Sequence, residues 1–132
     1  MTHSERPKHW IAHLAAEGAI DFGQRLQRQF EAGAVTHLCD CGCHSFDFEV
    51  ASSADVEPLV PPTGKGGAFF EAVYEASEVP ELSFLVFADA AGNLAGIDIT
   101  AGIANHTPLP DVVTPRKLLY TSYLGKGMPN AS

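Results

Sequence analysis

The feature that most constrains this fold is a change of hydrophobic period near residue 35. Before it, apolar residues recur every three or four positions. Ile11, Leu14 and Ala15 form one set, and Phe22, Leu26 and Phe30 a second, with Ile20 and Gly23 alongside. Gln24, Arg25, Gln27 and Arg28 take the opposite side, which is the pattern of helices with one apolar stripe. After it, Phe46, Phe48 and Val50 alternate with Ser45, Asp47 and Glu49. That is the two-residue period of a strand with one buried face. Helices first and strands afterwards pack as an α+β domain, because βαβ units need the two to alternate.

Local signals place the elements. Ser4 and Pro7 suit the start of a first helix, and Gly18 breaks it. Residues 19–31 read as a second helix, with Gly33 as its terminating residue. Strands are expected at 46–50, 69–76, 82–88 and 94–101. The third is apolar on nearly both faces and therefore central, and the sequence Asp-Ala-Ala-Gly-Asn at 89–93 suits a hairpin loop. Pro58, Pro61, Pro62 and the glycines at 64, 66 and 67 make 51–67 a long loop. Residues 116–123 read as a short strand or helical turn docked on the sheet. The expectation is one α+β domain over 1–132: helical at 1–34, sheet at 35–101, irregular at 102–132. N-terminal helices pack on a four-stranded, mostly antiparallel sheet, with order near 1-2-3-4. Its core is expected from Phe22, Leu26, Phe30, Phe46, Phe48, Phe70, Tyr74, Phe84, Val86, Ile97 and Ile99.

Charge narrows the class of partner. The chain carries −8 overall, but residues 35–111 hold twelve acids against Lys65 alone, a net of −11. The segment before it is neutral, and the segment after it is +3. Phosphate backbones and anionic membrane surfaces call for clustered Lys and Arg, so neither nucleic acid nor membrane is an expected partner. With 45% hydrophobic residues the chain is no disordered tail. No apolar run approaches the ~18 residues of a membrane span, and the N-terminal stretch lacks the apolar core of a secretory signal. Three cysteines close together do not make a secreted disulfide framework. A cytoplasmic location is expected.

Two residue sets carry chemical interest. The first is the run His37-Leu38-Cys39-Asp40-Cys41-Gly42-Cys43-His44. His37, Cys39, Cys41, Cys43 and His44 are thiolate and imidazole donors of the kind zinc takes, so zinc is the one cofactor the chain suggests. A straight strand sets residues two apart about 6.6–6.8 Å from each other, too far for one ion to gather the whole run. The backbone would have to curl at Asp40 and Gly42. Packing of small cysteines beside the second helix, metal binding, and thiol reactivity helped by His44 remain three readings of the run. The second set is Asp47, Glu49, Glu71, Glu75 and Asp98, which alternation assigns to the sheet's outer face. Histidines 9 and 13 stand one helical turn apart and read either as two solvated side chains or as a pair facing one metal, but they lack the intervening Glu of a metalloprotease motif. The lysine among the glycines at 62–67 does not fit a phosphate-binding loop. No catalytic residues emerge, and whether the chain is an enzyme stays open.

Three stretches resemble small bacterial proteins to which no activity is assigned. They are Ile20-Asp21-Phe22-Gly23 with Leu26 and Gln29, then Cys39-Asp40-Cys41-Gly42-Cys43 with Ser45 and Asp47, and then Gly92-Asn93-Leu94 leading to Ile97-Asp98-Ile99. The cysteine run is the most specific part. The resemblance implies a stand-alone bacterial cytoplasmic domain and assigns no residue a role. The functional expectation is a small binding module whose acidic sheet face takes a basic protein partner, or that associates with itself. The alternative is a metal-binding or thiol-redox protein centred on Cys39, Cys41 and Cys43.

Overall fold

The computed structural model describes residues 5–39, 43–62, 64–102 and 108–124. Its elements are α1 (Arg6–Ala15), α2 (Gly23–Glu31), β1 (Gly33–Leu38), β2 (Phe46–Val50), β3 (Gly67–Ala76), β4 (Leu82–Ala88), β5 (Leu94–Thr100) and β6 (Pro115–Tyr123). The α+β class stands. The sheet has six strands in the order β1-β2-β5-β4-β3-β6, and every pair is antiparallel.

This order corrects the expected 1-2-3-4. Strands β3, β4 and β5 form a meander, as short loops dictate. The β2–β3 connection, however, is the long segment 51–66, and it carries the chain across the sheet so that β2 lies beside β5. A second long connection, 101–114, takes the chain from β5 to the far side of β3. The two additional strands are the edges. β1 begins where a helix terminator was expected, and β6 is the strand of the two readings given for 116–123 within the C-terminal segment.

The helix boundaries shift for steric reasons. α2 starts at Gly23, not at 19, and a Cβ there would meet the Ala15 carbonyl oxygen at 2.6 Å. The end of α1 and the start of α2 meet at this glycine. Gly33 does not cap α2 with a left-handed turn. It opens β1, where a Cβ would lie 2.2 Å from the Glu49 oxygen and 2.7 Å from the Phe48 ring.

Both helices lie on one sheet face. Trp10 meets Phe84 with ring centroids 5.2 Å apart, Phe22 meets Phe70 at 5.0 Å, and Phe30 stacks on Phe48 at 5.1 Å. Ten of the eleven expected core residues are buried, and Phe30 is packed at the core's margin. Trp10, Ile11, Leu14 and Leu94 complete the centre. Burying each such side chain is worth about 1.5–3 kcal/mol.

Polar pins hold the long connections. Gln29 is fully buried although it sits on a polar stretch of α2. Its Nε2 donates to the Glu57 carbonyl at 2.6 Å and to Asn93 Oδ1 at 2.9 Å, while its Oε1 accepts the Leu94 N–H at 2.6 Å. One side chain thus ties α2 to the first connection and to the β4–β5 loop. Gly92 in that loop has φ +85°, and a Cβ would meet the Val60 oxygen at 2.1 Å. Asp89 organises the same turn by accepting the N–H groups of Ala91 and Asn93. The second connection is held by Arg6, paired with Asp111, and by His44.

Candidate binding surface

The registers settle which side chains share the sheet face opposite the helices. Directly paired residues point the same way. One row runs His37, Asp47, Gly96, Phe87; the next runs Asp98, Leu85, Glu71, Ser122; a third runs Thr100, Ser83, Val73, Tyr120. Glu49 and Glu75 flank these rows, Glu75 opposite Lys117. All five expected acids therefore lie on one face. Among the described residues, no helix or strand is layered over it.

The face is not uniformly solvated. Asp47, Glu49 and Glu75 are exposed and Asp98 is half-buried. Glu71 is only 8% exposed, closed in by Leu85 and Ser122 from the flanking strands, and, together with desolvation, its carboxylate helps raise the pKa of the nearby Tyr120. Leu85 and Phe87 are half-buried between the carboxylates. At Gly96 the sheet has a dent, because a Cβ there would press on the Phe46 oxygen at 2.7 Å. Asp47, Asp98 and Phe87 border the resulting trough of ≈ 270 Å³. Carboxylates around an aromatic ring suit an ammonium or guanidinium group, which gains from both charge and the ring face.

The cysteine run starts in β1, which holds His37 and Leu38, while Cys39, Cys43 and His44 lie between β1 and β2. Cys41 lies outside the described residues. His37 is exposed on edge strand β1. Cys39 is disulfide-bonded. Cys43 is a buried thiol whose Sγ donates to Ser45 Oγ at 3.3 Å, and Ser45 Oγ also accepts the Ile99 N–H at 2.8 Å. These residues pack beside Arg6 of α1, not beside the second helix as the packing reading had it.

His44 is buried and points under α1. Its Nδ1 accepts the Trp10 indole N–H at 3.1 Å, and its Nε2 donates to the Pro110 carbonyl at 2.9 Å. An indole only donates and a carbonyl only accepts, so the ring is neutral with the proton on Nε2. Both nitrogens are committed, which removes His44 as a base for Cys43. Among the described residues, no group of three or more His, Cys, Asp or Glu is arranged to hold a metal ion.

Sequence reasoning missed the surroundings of Trp10. A cavity of ≈ 180 Å³ opens between α1 and residues 111–115, with His9, Trp10, His13 and His44 in its wall. The His13 ring packs against Tyr74 at 5.0 Å and Phe84 at 5.9 Å. Burial pushes its pKa below the usual 6.5; Glu17 opposes this and His9 adds to it. The one signal in the sequence was the four-residue spacing of His9 and His13, with the single Trp between them. No known protein family, curated protein or solved structure matches this chain.

Proposed function

We propose that this protein is a small binding module that docks a basic protein partner on the acidic face of its sheet. The observation that carries this reading is the shared face itself. Asp47, Glu49, Glu71, Glu75 and Asp98 lie opposite the helices, interleaved with Leu85 and Phe87. Among the described residues, Lys117 is the one cation the registers add there. Charge of one sign around a few apolar anchors speeds encounter and rejects acidic partners. The trough at Gly96 gives a basic side chain a place to seat.

Three exposed positions make the test clean. Asp47→Lys, Glu49→Lys and Glu75→Lys together reverse the face without touching buried Glu71. The native protein is expected to retain a basic partner at low salt and release it as salt rises, while the triple variant, equally folded, retains none. Undiminished capture by the folded variant contradicts the proposal.

Self-association is the second reading, and edge strand β6 favours it. Leu119, Tyr120 and Tyr123 are 42%, 45% and 42% exposed, and an unpaired edge invites strand addition. Light scattering over a concentration series separates a stable dimer from a monomer. The setting we infer from the resemblance to small bacterial proteins is the cytoplasm. No described helix is long and apolar enough to cross a membrane. Alkylation of protein trapped from cells tests the compartment. In a reducing cytoplasm all three cysteines label after denaturation without reductant, whereas a bridge at Cys39 that persists in the cell places the chain in an oxidising compartment.

A further inference from the structure

A separate part of the molecule carries an inference independent of the sheet face. α1 sets His9 and His13 one turn apart, and both line the ≈ 180 Å³ cavity. Side chains four residues apart on a helix stand one above the other. Trp10 lies against both rings, with centroids 4.7 Å from His9 and 5.9 Å from His13. His13 Nε2 is buried and has no hydrogen-bond partner. Its ring packs among Tyr74, Phe84 and Trp10. Much of the cavity wall is apolar, from Trp10, Val112, Val113 and Pro115, and offers few groups to hold a bridging water.

The geometry points to a site for one divalent cation of the zinc, nickel and copper class, held by His9 and His13 with water completing its coordination. Imidazole is a preferred donor for these ions, and Mg²⁺ or Ca²⁺ would instead require oxygen donors. Metal binding requires the neutral ring, and burial favours that form at His13. An ion brings its own water ligands into a cavity that supplies few partners. Asp111, on the opposite wall and paired with Arg6, places negative charge nearby. Two protein ligands make an exchangeable site, entered from the side of the exposed His9. Neither ligand belongs to the cysteine run, although His44 of that run lies in the cavity wall.

The test uses the full chain without a polyhistidine tag. Trp10 is the single tryptophan, so its fluorescence reports this cavity alone. Ni²⁺ is expected to quench it saturably at one ion per chain, and Zn²⁺ to reverse the quenching by displacement. His9 is exposed, so His9→Gln should fold normally and weaken Ni²⁺ binding by about tenfold or more, at least the loss that removal of an outer-shell partner brings. His37→Gln and Cys39→Ser, which alter the cysteine run, should leave it unchanged. On the unaltered protein, Zn²⁺ should shift the imidazole proton resonances of His9 and His13 together. No saturable quenching, or quenching that His9→Gln leaves intact or His37→Gln abolishes, overturns the assignment. Zn²⁺ shifts confined to other histidines overturn it as well.

Discussion

The two faces of the sheet use the same strands for opposite ends. On the helix side, Phe46, Phe48, Phe70, Phe84, Ile97 and Ile99 are at most 5% exposed, and Phe48, Phe70 and Phe84 are locked by ring contacts. On the other side, the alternate positions of those strands hold Asp47, Glu49, Glu71 and Asp98 around Leu85 and Phe87. Period-two alternation makes this separation possible, because each strand serves both faces without compromise. The lesson is that stability and recognition are assigned to different residues. Substitutions on the two faces should therefore fail in different ways.

The largest expected effect is on the helix side. Phe84→Ala removes the ring that Trp10, His13 and Tyr74 all contact and should cost about 3–5 kcal/mol in denaturant unfolding. Gln29→Ala comes next. It strips partners from the buried Leu94 N–H and the Glu57 carbonyl, at about 2–4 kcal/mol, and should also loosen the connection 51–66 in hydrogen exchange.

A third effect is specific to pH. Folding lowers the pKa of His13 below 6.5, so on acidification the unfolded chain takes the proton first. Stability linked to His13 is intact above pH 6.5 and declines as pH falls below it. The unfolding midpoint should drop over that range in the native protein and drop less in His13→Gln. A midpoint that falls equally in both would remove His13 from the account. The smallest stability effects belong to the outer face. Asp47→Lys, Glu49→Lys and Glu75→Lys should each stay within ~0.5 kcal/mol.

The comparison also explains what the sequence made legible. Strands β2, β4 and β5 and the turn at 89–93 were readable because period and turn chemistry are local. The sharing of one face by five acids was readable because alternation survives the change in strand order. The order itself was not readable. Nothing local says that 51–66 carries the chain across two strands, and that path is fixed by Gln29 from α2 and by the contact of Gly92 with Val60. The edge β1 was hidden because it pairs on one side only and buries little, and for the same reason the edge β6 was legible only as a strand or a helical turn. Gln29 was hidden because a buried amide and a solvated one look alike in sequence. Of the cysteine and histidine run, residues 40–42 lie outside the described segment. Along the rest, Cys43 and His44 turn inward towards Ser45 and Trp10, while His37 lies on the outer face beside Asp47.

Carboxyl footprinting tests the central claim most directly. In the protein alone, a carbodiimide should label the exposed Asp47, Glu49 and Glu75 on the sheet and Glu31 on α2 alike. In the complex with a basic partner, labelling at Asp47, Glu49 and Glu75 should fall while Glu31 stays reactive. Protection of Glu31 with continued labelling of the three sheet residues would place the partner elsewhere and contradict the assignment of recognition to the outer face.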